Sequence, residues 1–339
     1  MPALFEQPKA VIGMLHVGAL PGTPRNAEPL AAIIARAREE AGVYTRAGVD
    51  GLMIENMHDV PYLKGEVGPE ITAGMTAVGL AVREECASGA RRDSRTSVEG
   101  IHAPAEGTGS KLPAGGEKGF SHQHQGQGAR KDSRTSVNGS KLPPAPKPGR
   151  KTTTAPLPLG VQILAAANRE ALAVALAVGA AFVRVENFAY AHVADEGLMP
   201  VAQAGPLLRY RRQIGADHVK ILADVKKKHS SHALTADVSL AEAARTTEFF
   251  GADAIVVTGA ATGQPASPED VTTVKNAVTI PVCIGSGVTA ENLPVFWPHA
   301  DIFIVGSYFK RDGVWSKAVD ESRVAKFMAV AASLRERGG

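Results

Sequence analysis

The chain has 339 residues, 44% hydrophobic and 21% charged, the balance of an ordinary soluble globular protein. No run approaches the ~18 apolar residues of a membrane span, and the opening stretch MPALFEQPKAVIGML lacks the basic start and long apolar core of a secretory signal. The formal charge of +3 hides an uneven distribution, since residues 87–158 hold 12 Lys and Arg against 5 Asp and Glu while the remainder holds 25 against 29; a mildly acidic folded part argues against specific nucleic-acid binding through the fold.

Residues 10–16 read as a first strand ending in His16, followed by a Gly/Pro-rich loop over 17–26. Helical spacing then runs over 29–47, with Leu30, Ile33, Ile34, Ala37 and Ala41 on one face, and Gly48 stops it. Strand two spans 49–55, and its loop carries Asn56, His58, Asp59, Lys64 and Glu66. Helix two is expected over 69–86, with Pro69 at the permissive first turn.

Residues 87–158 change character: they are rich in Gly, Ser, Pro, Lys and Arg, and Phe120 is their one aromatic residue. They also repeat, since RRDSRTSV at 91–98 returns as RKDSRTSV at 130–137, and SKLP at 110–113 returns at 140–143. Such a composition buries too little apolar surface to offset chain entropy, so the segment reads as a disordered, basic, low-complexity insertion. A basic tether for RNA or an acidic membrane, and a translated non-coding stretch, are the other readings. No chemistry is assigned to its histidines.

Order resumes with strand three at 159–164, an alanine-rich helix at 168–178 and strand four at 181–186. A long loop over 187–199 and a helix over 205–214 follow. Strand five spans 218–224, with Lys226, Lys227, Lys228, His229 and His232 crowding the loop behind it; Lys226 and Lys228 are candidates to complement a phosphate or carboxylate, against the reading of a plain solvated loop. A helix at 240–250, strand six at 253–258 and a small-residue turn at 259–263 come next, and Ser267 caps the following helix. Residues 281–289, PVCIGSGVT, read as a short buried strand entering a glycine turn and a helix start; residues 301–310, DIFIVGSYFK, repeat the pattern, and a helix over 323–335 closes the chain.

Eight strands in strict alternation with helices imply an α/β fold, a (β/α)8 TIM barrel, with a doubly wound sheet as the competitor. Without the 72-residue insertion the chain keeps 267 residues, close to the ~250 of such barrels. Residues 1–86 and 159–339 then form one barrel domain, and the insertion lies between helix two and strand three.

In this fold the loops after strands seven and eight commonly hold phosphate. Gly285, Ser286 and Gly287 with Gly306 and Ser307 are therefore the expected phosphate cradle, since glycines let backbone N–H groups approach an anion; the plain alternative is that any tight turn favours Gly and Ser. Strand-end polar residues become candidates for chemistry: His16, Glu55, Glu186 and Asp224 as acid/base groups or ligands of a divalent ion, and Asn56, Asn187, Lys226 and Thr258 as further binding residues. Against this stands a scaffold role, in which the carboxylates pair with Arg184, Lys220 or Lys226. Cys86 and Cys283 are too few for a disulfide framework and point to a reducing compartment, the cytoplasm or, in a photosynthetic source, the plastid. Cys283, in an apolar strand, reads as a core residue.

Several stretches together resemble the BtpA family (BtpA/SgcQ-like): VIGMLH at 11–16 with LPGTPR at 20–25, GVDGLMIEN at 48–56 with DVP at 59–61, DVKKKH at 224–229, VTGAATG at 257–263, GSGVT at 285–289, VGSYFK at 305–310 and DGVW at 312–315. The resemblance implies a TIM barrel of the ribulose-phosphate-binding type and carries a role in photosystem I accumulation in cyanobacteria; it attaches no firm reaction. The expected function is binding of a small phosphorylated metabolite, with isomerase, lyase or hydrolase chemistry on it. An FMN enzyme and a non-catalytic assembly or stability factor are the alternatives, and a homo-oligomer is compatible with either.

Overall fold

The short apolar runs between the helices are too brief for helices and rich in Val and Ile, and they become strands covered on both faces. The computed structural model describes residues 4, 5, 7–99, 157–259 and 261–338. In chain order the strands are β1 (Ala10–His16), β2 (Gly51–Glu55), β3 (Leu159–Gln162), β4 (Phe182–Val185), β5 (Lys220–Val225), β6 (Ala254–Val257), β7 (Val282–Ile284) and β8 (Ile302–Val305). Each pairs in parallel with the next, and β8 pairs with β1, so the sheet closes into the expected eight-stranded barrel.

Around it lie α1 (Leu30–Ala47), α2 (Pro69–Glu99), α3 (Asn168–Val178), α4 (Ala204–Gln213), α5 (Leu240–Phe249), α6 (Pro268–Ala277), the short α7 (Leu293–Phe296) and α8 (Glu321–Arg337). Gly48 and Gly179 end α1 and α3 in the left-handed conformation, and the Ser267 hydroxyl accepts the Asp270 N–H at 3.2 Å to cap α6. The barrel belongs to the unit made of residues 1–92 and 153–339. Helix α2 runs past its expected stop at Cys86 as far as Glu99. The disorder expected of 87–158 falls mostly on 100–156, outside the described residues.

Alternation along the strands sorts the core into two parts. Ala10, Ile12 and Met14 of β1 meet Met53, Phe182, Leu222, Val256, Cys283 and Ile304 along the barrel axis. The opposite parity, including Val11, Leu15, Leu52, Ile54, Val183 and Val185, packs under the helices. Gly160 makes the axial filling possible, because a Cβ there would overlap the Phe182 ring. Phe5 stands edge-on to that ring at 5.9 Å, ahead of the first strand. Cys283 is fully buried in the axial cluster, where burial pushes its thiol up, so it is the core residue its apolar strand suggests.

Following the inward parity toward the strand ends, the apolar layers give way to His16, Glu55, Gln162, Arg184 and Asp224. One loop departs from expectation. The stretch 187–199 contains an antiparallel hairpin, His192–Ala194 with Gly197–Met199, and Ser230–Ser231 from the loop after β5 adds a third strand. The stabilising partner lies more than thirty residues away, beyond what local pattern can signal.

Candidate site at the barrel mouth

The two glycine turns meet across one cleft at the strand ends. His16, Glu55, Arg184 and Lys228 line it together with Gly285–Gly287 and Gly306–Ser307. The Gly285 N–H is spent on Val257 O at 2.8 Å, but the N–H groups of Ser286, Gly287, Gly306 and Ser307 have no acceptor among the described residues. The Ser286 hydroxyl is itself structural: it accepts the Gly259 N–H at 3.0 Å and donates to Gln264 O at 3.1 Å. Asn292 Nδ2 holds Gly287 O at 2.9 Å. Gly287 has φ 69° and no room for a side chain against the 264–265 backbone, so glycine is required there. A Cβ at Gly306 would lie 3.2 Å from His16 Nε2, which brings the second turn against the imidazole.

His16 and Glu55 form the reactive-looking edge. His16 Nδ1 lies 2.8 Å from the Trp315 carbonyl; a carbonyl only accepts, so Nδ1 carries the proton and the neutral ring leaves its lone pair on Nε2. That nitrogen sits 3.8 Å from Glu55 Oε2. Burial, aided by Lys310, holds the His16 pKa well below the ordinary histidine range. Burial also pushes the Glu55 carboxyl above the ordinary carboxylate range, against the opposing influence of Lys228 and Arg184. An imidazole shifted toward its neutral form thus faces a carboxyl shifted in the direction of protonation, the opposed tuning that separates acid and base roles.

The other expected carboxylates are paired with cations. Asp224 takes a two-pronged ion pair from Arg184, Nε–Oδ1 2.9 Å and Nη2–Oδ2 3.0 Å, with both side chains almost wholly buried. Glu186 Oε2 accepts the Ala166 N–H at 3.0 Å and pairs with Lys227 Nζ at 3.2 Å. Asn56 is spent as well, accepting the Leu164 N–H at 2.8 Å and donating to Asp59 at 2.9 Å. Thr258 Oγ1 accepts the Lys228 N–H at 3.2 Å and so fixes the loop after β5. Asn187 and Lys226 line a neighbouring cleft, between the hairpin and α5, rather than the mouth; Lys226 Nζ donates to Val238 O at 2.9 Å. Among the described residues no group of three or more His, Cys, Asp and Glu side chains converges as a metal centre would.

Two buried residues, Gln162 and His192, were not singled out by sequence reasoning. Gln162, register partner of Glu55, is 2% exposed and its Oε1 has no partner among the described residues; a lone Gln ending an apolar strand was its only signal. His192, in the second cleft, is buried, its Nε2 has no partner among the described residues, and burial lowers its pKa to about 4. Of the two lysines that the sequence offers as complements to a phosphate or carboxylate, Lys228 lines the mouth and Lys226 does not.

The family model for the BtpA family matches residues 7–89 and 151–333, on either side of the insertion. A mitochondrial protein of Caenorhabditis elegans is 40% identical over 318 residues, covering 94% of this chain and 91% of its own length. The Photosystem I biogenesis protein BtpA of Synechocystis is 30% identical over 335 residues, covering 98% and 92%. Among solved structures, a thiamine phosphate pyrophosphorylase from Pyrococcus furiosus is similar with a TM-score of 0.47 at 13% identity, covering 96% of both chains. Among the described residues no helix is long and apolar enough to cross a membrane.

Proposed function

The chain belongs to the BtpA family, and we propose that it binds a small phosphorylated metabolite at the barrel mouth and performs acid/base chemistry on it. One observation carries this reading: two glycine turns line the same cleft as His16 and Glu55, and four of their N–H groups have no acceptor among the described residues. Unpaired backbone N–H groups in turns after the last strands suit a phosphate dianion, which accepts hydrogen bonds through several oxygens. With the phosphate anchored there, the rest of a small ligand reaches Glu55 and His16. Glu55 donates a proton and His16 Nε2 accepts one, the pair of transfers an isomerase or lyase needs. A hydrolase uses the same two groups to activate water and protonate a leaving group.

A flavin phosphate would fit the same turns, and FMN is the variant within this reading; a yellow purified protein supports it. The name of the Synechocystis relative favours a second reading, a non-catalytic assembly factor. The two free, buried cysteines suit a reducing compartment, and the mitochondrial relative adds that organelle to the cytoplasm and plastid as an address.

The test is a thermal-shift series on the full chain with inorganic phosphate and phosphorylated metabolites. Ligand at 100 times its Kd stabilises the fold by about 2.7 kcal/mol, so binding is readable. Absence of any shift with phosphate and every phosphorylated compound overturns the ligand reading. A Glu55→Gln protein that binds phosphate and fully supports the cellular phenotype overturns the acid/base part and leaves the assembly reading.

A further inference from the structure

Most of the basic side chains in and beside the mouth already have partners. Lys226 donates to Val238 O, Lys227 pairs with Glu186, Arg184 grips Asp224, and Lys310 pairs with Glu40 at 2.8 Å. Lys228 differs: its side chain lines the mouth, and its Nζ makes no hydrogen bond or ion pair among the described residues. Its main chain is nonetheless fixed, through the N–H bonded to Thr258 at 3.2 Å. An amine held in a cleft without a hydrogen-bonded ion-pair partner, beside a guanidinium committed elsewhere, loses part of the stabilisation an ammonium ion normally finds. Burial, then the Arg184 charge, lowers its pKa against the opposing influence of Glu55, Asp224 and Glu186, a shift in the direction of the neutral, nucleophilic form.

We propose that Lys228 forms an imine with a phosphorylated aldehyde or ketone whose phosphate occupies the two glycine turns. This rests on the phosphate reading above and narrows it to a carbonyl substrate. The Nζ lone pair attacks the carbonyl carbon, a C–N bond forms, and the carbonyl oxygen takes the proton of the Glu55 carboxyl. The ammonium nitrogen of that adduct returns one proton to the Glu55 carboxylate. The hydroxyl then leaves as water with that same proton, giving a protonated imine, a molecule of water and ionised Glu55. Atoms and charge balance with no oxidant or reductant. The cationic nitrogen draws electrons from the adjacent carbon, so a C–H or C–C bond there is weakened, and His16 Nε2 is the base within the same cleft. Isomerase and lyase chemistry follow from this arrangement; hydrolysis does not use it.

The experiment treats the full chain with glyceraldehyde 3-phosphate, and separately with pyridoxal 5′-phosphate, followed by borohydride and peptide mass mapping. The expected result is a reduced adduct on the peptide holding Lys228, suppressed by inorganic phosphate and lost in a folded Lys228→Met variant. Thermal shift with inorganic phosphate is measured on both proteins alongside. Phosphate stabilisation without an adduct at Lys228, or adducts spread over the exposed lysines, overturns the imine and leaves the phosphate reading standing. No phosphate stabilisation of the unmodified chain overturns both. Loss of phosphate stabilisation in Lys228→Met, with no adduct in the unmodified chain, makes the lysine a phosphate counter-charge and rejects the nucleophile.

Discussion

Arg184 holds Asp224 through two parallel hydrogen bonds, 2.9 Å and 3.0 Å, at a depth where neither side chain reaches water. The geometry is the fork-to-carboxylate pairing that gives arginine its specificity for carboxylates. It takes Asp224 out of the set of available acids and makes it a strut between β4 and β5.

Breaking this pair from one side leaves a buried charge without compensation. Arg184→Met is expected to cost about 3–5 kcal/mol of stability. Adding Asp224→Asn removes the stranded charge and should recover a large part of the loss. Urea unfolding of the two single variants and the double variant measures the coupling, and additive losses would contradict the account.

Gly160 leaves the space that Phe182 fills on the barrel axis. Gly160→Ala is expected to destabilise by about 1–3 kcal/mol through overpacking. Pairing it with Phe182→Leu should cost less than the two changes separately, because the smaller side chain vacates the contested volume. Chemical denaturation of the three proteins reports this directly.

Gly306 has φ −110°, which a non-glycine residue adopts without left-handed strain, yet a Cβ there would press on His16 Nε2 at 3.2 Å. Gly306→Ala is therefore expected to fold with a nearly unchanged unfolding midpoint and to lose most of its stabilisation by inorganic phosphate. A Gly306→Ala protein that keeps the full phosphate shift in a thermal melt removes this turn from the ligand site.

His192 is neutral in the fold, its pKa lowered by burial to about 4. The unfolded chain binds a proton near pH 6.5 that the folded one refuses, so this contribution is present above about pH 6.5 and is lost progressively on acidification. The loss runs through the window down to about pH 4. His192→Gln should flatten the difference in urea midpoint between pH 7.5 and pH 4.5 relative to the unmodified chain. Parallel midpoint-versus-pH curves for the two proteins would dismiss the histidine as a source of acid sensitivity.

Much of this molecule is legible before any coordinates. Short apolar runs, split by amphipathic helices, are realised as the eight barrel strands of three to seven residues, and the polar residue or glycine that follows each run marks where the mouth is built. His16, Glu55 and the two glycine turns come together there as their positions in the alternation predict. What could not be read was how the remaining charges are spent. Asp224 and Glu55 look alike in sequence, each ending an apolar strand.

The sequence alone therefore determined the barrel, the order of its strands and the ring of candidate residues at their ends, because periodicity and strand-end position are local properties of the chain. Only the tertiary structure decided which members of that ring have partners. Arg184 reaches Asp224 across 40 residues of sequence, Lys227 reaches Glu186 from the next strand's loop, and Lys228 Nζ, one position further on, makes no hydrogen bond or ion pair among the described residues. Each of those outcomes depends on distances between distant segments in a low-dielectric mouth, where an ion pair a few ångströms closer changes which group is held and which is left to react.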